Sequence, residues 1–321
     1  MSPCQTPYID PQMARILAEM PAPGEPLPVA EERRLMREDS AVWNTPVPVV
    51  ATVRELAIPA GDREIPARLY QPAPERPLIV YLHGGGWVLG DLDTHDRLMR
   101  LLAVESGANV LGVDYRLAPE YPFPAPLDDV LAVLRWLPEM PAELQVNTAR
   151  LVLAGDSAGA NLALGAMLAR RDAGESLPCG AVLFYGCYQS DSDCPAHRAF
   201  GDGRFGLASE RMDWFWRQYL GEHGAGHPHA EPLLADLHGL PPMFLSAAGL
   251  DCLLDDTREL AARLEAHGVR CQCRIYPGVI HGFLRMSNRL PVALTAIQDA
   301  CAKLRVLLDC DEQQPLNTAH G

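Results

Sequence analysis

Leu151-Val-Leu-Ala-Gly155-Asp-Ser-Ala-Gly159 is a short apolar run entering a turn of small residues, and Ala158 to Arg171 continues it with a helical pattern. Strand, sharp turn and helix in that order describe the G-x-S-x-G elbow, which lifts a serine side chain above the end of a sheet. The turn is tight enough that only small residues fit beside it, hence Gly155 and Gly159. Five positions with three fixed recur by chance, so the elbow gains its weight from the rest of the chain. His83-Gly-Gly-Gly-Trp87 follows another apolar run upstream, and an aspartate and a histidine follow Ser157 in the chain order Ser, Asp, His.

Working outward, strands and helices alternate. Thr52 to Ile58 and Ile65 to Tyr70 read as a hairpin through Ala60-Gly61-Asp62. Strands follow at Leu78–Leu82, Asn109–Asp114, Leu151–Ala154, Gly180–Tyr185, Met243–Ala247 and Arg270–Tyr276. Helices are expected at Thr94–Ser106, Pro126–Leu137, Ala158–Arg171, Thr257–His267 and Val292–Leu308. The pattern predicts an α/β fold with eight strands, the first pair antiparallel and the rest mostly parallel, flanked by helices on both faces. Residues 1–45 are Pro-rich and then helical in pattern, with Met13, Ile16, Leu17 and Met20 on one face. From 186 to about 240 the rhythm breaks, with no crossover helix of normal length. A connection so long is usually functional, and it is expected to form a helical cap with residues 1–45 over a domain spanning 46–310. The tail, 311–321, is expected to be disordered.

Composition narrows the function. The chain has 321 residues, 48% hydrophobic and 21% charged, with a formal net charge of −14. Such a charge argues against nucleic acid or an anionic membrane surface and favours a small neutral substrate. The N-terminus has no basic start or apolar core of a signal peptide, and no apolar run approaches the roughly 20 residues of a membrane span, so a cytoplasmic location is expected. Nine cysteines without a C-x-x-C pair fit reduced thiols. Cys271 and Cys273 fall on one face of a strand as packed thiols.

Ester hydrolysis needs a nucleophile, a base, an orienting carboxylate and donors for the developing oxyanion. Ser157 is the candidate nucleophile. The base belongs on the loop after the last strand, where His281 stands. The acid belongs after the preceding strand; Asp251 comes first, whereas Asp255 and Asp256 fall where carboxylates stabilise a helix start. His83, Gly84, Gly85 and Gly86 lie where one side of an oxyanion hole is built, and the amide of Ala158 supplies the other. Trp87 and Asp156 are the candidate substrate-binding residues. His223, His227 and His229 beside Glu222 match no structural zinc spacing and read as solvated loop histidines, so no metal site is expected.

Tyr81-Leu-His-Gly-Gly-Gly-Trp87, Gly90-Asp-Leu-Asp-Thr-His-Asp96, Asp114-Tyr-Arg-Leu-Ala-Pro-Glu120 and Gly155-Asp-Ser-Ala-Gly159, followed by Asp251–Asp255 and His281-Gly-Phe283, resemble the hormone-sensitive-lipase group of α/β hydrolases. Within it the chain looks most like the bacterial acetyl esterases. The resemblance covers roughly residues 45 to 310. It implies a cofactor-free carboxylesterase for short acyl esters, with Ser157 as nucleophile, Asp251 as acid, His281 as base and the His83–Gly85 stretch and Ala158 as oxyanion hole. Cys252 stands where the group commonly has proline. Cleavage of amides, lactones or thioesters by the same machinery stays open. So does a non-catalytic binding module, although plant receptors resembling this group lack the histidine that this chain has.

Overall fold

The structure, a computed structural model, describes residues 7–20 and 27–309. Helix α1 (Pro11–Glu19) starts at Asp10, whose carboxylate accepts from the N–H groups of Gln12 and Met13 at 2.9 and 3.1 Å. These are two of the donors a helix leaves free at its first turn. Met13 and Ile16 are buried, and Met20 caps the helix end at the surface. Helix α2 (Val29–Trp43) buries little apolar surface and is held by charge instead. Arg33 donates to the carbonyls of Val88 and Ala118 and pairs with Glu120, while Arg37 pairs with Asp91.

The remaining elements are β1 (Thr52–Ala60), β2 (Arg63–Gln71), β3 (Arg76–Leu82), α3 (Asp96–Ser106), β4 (Asn109–Val113), α4 (Ala125–Trp136), β5 (Val146–Asp156), α5 (Ala158–Asp172) and β6 (Gly180–Phe184). Then come α6 (Pro195–Phe200), α7 (Ser209–Leu220), β7 (Met243–Leu250), α8 (Leu254–Ala266), β8 (Cys271–Ile280) and α9 (Pro291–Asp309). All eight strands form one sheet in the order β1-β2-β4-β3-β5-β6-β7-β8. The β1–β2 hairpin is antiparallel, with Ile58 opposite Ile65. Strand β2 also runs against β4, and every later pair is parallel.

The parallel strands are apolar without alternation because both faces are covered. Leu78, Val80 and Leu82 of β3 enter one core with α4, α5 and α8, whereas Ile79 and Tyr81 enter the other with α3 and α9. Helix α5 is buried at every position from Ala158 to Leu168, which suits a helix at the centre of the fold.

One expectation needs correction. The stretch 186–240 contains a regular helix of 12 residues, α7, preceded by the short α6. Met212, Phe215, Trp216 and Tyr219, at positions i, i+3, i+4 and i+7, form its buried face. The aromatic cluster therefore carries a helical period. The tail 311–321 lies outside the described residues.

Candidate active site

Three parallel strands deliver three side chains to the same edge of the sheet. Ser157 stands alone between β5 and α5, with φ 52° and ψ −119°. That is a strained conformation for a residue with a side chain, and such strain persists only where the surroundings enforce it. Its N–H donates to the carbonyl of Phe184 at 2.9 Å. A Cβ on Gly159 would fall 1.9 Å from the carbonyl oxygen of Leu82, and one on Gly155 would fall 2.5 Å from the carbonyl carbon of Gly159. The elbow closes only because both are glycine.

His281 is the first residue beyond β8, which runs four residues past its expected end at Tyr276. Its Nε2 lies 2.9 Å from Ser157 Oγ, and its Nδ1 lies 2.7 Å from Asp251 Oδ2. Asp251 is the first residue beyond β7 and is buried; its Oδ1 accepts from the N–H of Leu253 at 3.0 Å. With Nδ1–H donating to Asp251, Nε2 is left with the lone pair that faces the serine hydroxyl. Burial pushes the imidazole down, but the charge and hydrogen bond of Asp251 outweigh it and hold His281 above its ordinary value. The structure thus brings Ser157, His281 and Asp251 into one hydrogen-bonded chain.

Asp255 and Asp256 begin α8 as expected, but neither caps it: the N-cap is Leu253, with no side-chain bond. Asp255 accepts from the N–H of Ala196 at 2.8 Å, and Asp256 from the N–H of Tyr188 at 2.6 Å. These carboxylates tie α6 and the exit of β6 to α8. Burial raises Asp256 to about 7.

The glycine loop after β3 revises the expected oxyanion donors. The N–H of Gly84 is taken by Asp156 Oδ1 at 2.9 Å. Gly85 and Gly86 adopt φ 127° and 61° and, among the described residues, donate no backbone hydrogen bond. A Cβ on Gly86 would overlap the ring of Phe215 at 2.3 Å. Gly85, Gly86 and Ala158, at the first position of α5, are therefore the amides free to face a substrate oxygen. His83 does not reach the cavity. Its ring is buried behind the loop, stacked on Tyr115 at 4.4 Å, with Nδ1 2.9 Å from the carbonyl of Gly84. Burial lowers it to about 4, so the ring is neutral.

Both expected substrate-binding residues have other contacts. Trp87 is wholly buried under α7, its ring parallel to that of Tyr219 at 4.2 Å, and it does not line the cavity. Asp156 does line it, yet its carboxylate is committed to the Gly84 amide and to the hydroxyl of Tyr81 at 2.6 Å. His95, which the sequence reading passed over, lies 3.4 Å from the same carboxylate and also lines the cavity. Burial opposes ionisation of Asp156, but His95 and these donors hold it at about 2.

The cavity measures about 410 Å³. Ser157, His281, Gly85 and Gly86 line it together with Met36 and Trp43 of α2 and Met212 and Phe215 of α7. The loop histidines are not simply solvated, since His229 Nε2 lies 2.8 Å from Asp172 and the N–H of His229 donates to His227. Cys271 and Cys273 carry free thiols on β8. Among the described residues no helix is long and apolar enough to cross a membrane.

A family profile described as alpha/beta hydrolase fold, Abhydrolase_3, matches residues 79–285. The chain is 37% identical over 290 residues to an acetyl esterase of Salmonella schwarzengrund, covering 88% of each protein. Among solved structures, a hyperthermophilic esterase from Pyrobaculum calidifontis matches with a TM-score of 0.88 at 33% identity, over 94% of this chain and 99% of that one. A thermostable esterase from Pseudomonas putida matches with a TM-score of 0.90 at 30% identity, over 96% of this chain and 100% of that one. With the fold and these relatives together, the chain belongs to the hormone-sensitive-lipase group of α/β hydrolases and is a carboxylic ester hydrolase.

Proposed function

We propose that the protein is a serine carboxylesterase that hydrolyses short-chain acyl esters, acetyl to hexanoyl, through an acyl-enzyme on Ser157. The observation that carries this reading is the hydrogen-bonded chain Asp251–His281–Ser157 opening onto a cavity beside two unengaged glycine amides. His281 Nε2 takes the hydroxyl proton as Oγ attacks the ester carbonyl, and Asp251 stabilises the imidazolium that forms. The developing oxyanion is met by the amides of Gly85, Gly86 and Ala158. His281 then returns its proton to the leaving alkoxide, and water, activated by the same imidazole, releases the acid.

Helices α2 and α7 act as a cap, which supports the short-chain preference. A cavity of about 410 Å³ is near the small end of ligand sites, roughly 300–1,000 Å³, and Phe215 lies directly over Gly86. The natural substrate is a small neutral ester, and the proposed location is the cytoplasm. The test is a p-nitrophenyl ester series from acetate to palmitate, with matched thioester and anilide substrates. Rates should peak between acetyl and hexanoyl, each methylene beyond the fit costing about 1–3 kcal/mol. Faster hydrolysis of palmitate than of butyrate would overturn the chain-length reading, and a faster anilide would move the enzyme to amides.

A further inference from the structure

The segment that returns from α7 to β7 carries Asp236 and His238, and the end of α8 carries His267. We infer that these three side chains form a binding site for a divalent transition-metal ion, zinc(II) in the first instance. One ligand atom from each lies within 4.8 Å of the others. A tetrahedral zinc with ligands near 2.0–2.2 Å sets them about 3.3 Å apart, so small side-chain rotations complete the approach.

Hydrogen bonding gives the cluster its direction. His267 Nδ1 lies 2.6 Å from the carbonyl oxygen of Arg263, which can only accept, so Nδ1 bears the proton. That leaves Nε2 as the ring nitrogen available to a metal, and it faces Asp236 Oδ1 3.6 Å away. A nitrogen fixed in this way by a carbonyl behind it is the usual outer-shell arrangement of a metal-bound imidazole. His238 completes the set, with Nδ1 2.6 Å from the same Asp236 oxygen and its ring 4.4 Å from that of His267.

The backbone bearing these ligands is clamped from both sides. Arg171, at the end of α5, donates to the carbonyls of Asp236 and His238; Arg263 of α8 donates to those of Leu233 and Ala235. Ligands on a braced segment lose little freedom on binding. Two imidazoles and one carboxylate suit zinc, nickel or copper better than magnesium or calcium. The exposed side leaves coordination positions to water. By helical rise the cluster lies about 20 Å from Asp251, at the opposite end of α8. Its effect is to staple the returning segment to α8, and it takes no part in the ester chemistry.

The experiment titrates zinc chloride into the untagged, chelator-treated full chain, followed by calorimetry and by thermal unfolding. One equivalent should bind and, at free zinc about a hundredfold above Kd, raise Tm by about 4 °C. His238→Gln, at an exposed position, and His267→Gln should each lose that equivalent and the Tm response, while His223→Gln keeps both. Metal-free Tm values of all variants show whether each is folded, and the exposed His238→Gln decides if His267→Gln is not. A parent whose Tm ignores zinc, or an undiminished equivalent in His238→Gln, would overturn the site.

Discussion

Ser157 sits between two histidine–aspartate pairs built from the same residue types. On one side, His281 bridges Asp251 at 2.7 Å and Ser157 at 2.9 Å. On the other, His95 lies 3.4 Å from Asp156, with its Nδ1 2.8 Å from the hydroxyl of Thr94. What separates them is the group each carboxylate holds. Asp251 faces an imidazole whose second nitrogen reaches a hydroxyl proton, so that pair can move a proton. Asp156 faces the phenol of Tyr81 and the amide of Gly84 and is held at about 2, so it stays charged and fixes the glycine loop. In the proposed mechanism, identical side chains serve as a proton relay or as a brace according to which atoms are left free.

The comparison breaks most visibly at the histidines. His281→Gln should lower kcat by about 10⁶, the size of a triad knockout. His95→Gln should cost no more than about 10², the scale of a slight misplacement of the glycine loop. Steady-state kinetics with p-nitrophenyl butyrate measures both, and equal losses would erase the distinction.

The carboxylates come next. Asp251→Asn should lower kcat by about 10⁴, because the amide favours the wrong tautomer of the imidazole. Asp156→Asn should lower it by about 10², comparable to weakening one oxyanion donor. A larger loss at Asp156 than at Asp251 would reverse their roles.

Acidity sharpens the contrast further. In the proposed mechanism His281 must be neutral to accept the serine proton, and its folded pKa lies above the ordinary value. The kcat/KM profile should therefore fall as pH drops through a midpoint above about 6.5. In Asp251→Asn the largest raising influence is gone and burial remains, so the residual activity should have a lower midpoint. Asp156→Asn should move it only slightly, since that carboxylate is the weakest contributor. A parent profile flat from pH 5 to 9, with chemistry rate-limiting, would remove His281 from the mechanism.

The smallest effect belongs to the acids of α8. Asp255→Asn removes a charged acceptor from the Ala196 amide and from Arg258. A loss of about 1–2 kcal/mol in stability is expected, read as a lower Tm, with kcat within about threefold of the parent. An inactive but equally stable variant would move the orienting acid from Asp251 to Asp255.

Much of this was legible in the chain because it is local. Strand ends carry Ser157, Asp251 and His281 to one edge of a parallel sheet, and apolar runs with chain order suffice to read that. The brace was not legible, because it depends on distances between segments far apart in sequence. Tyr81, His95 and Asp156 meet across three elements, and no spacing announces that the Gly84 amide is already engaged. Trp87 looked like a pocket residue because it adjoins the glycines, yet Tyr219 covers it. The period of Met212, Phe215, Trp216 and Tyr219 was a readable sign of α7, masked by the polar stretches on either side. Asp255 and Asp256 showed their position at a helix start, whereas their partners, Ala196 and Tyr188, belong to other segments.

In the proposed reaction, ester hydrolysis passes through Ser157 Oγ. The direct measurement is reaction of the enzyme with a p-nitrophenyl alkylphosphonate, followed by intact and peptide mass spectrometry and residual activity. One phosphonyl group per chain is expected, on the peptide containing Ser157, with activity lost in proportion and neither labelling nor turnover in Ser157→Ala. Labelling at another residue with activity lost, or substantial turnover by Ser157→Ala, would contradict it.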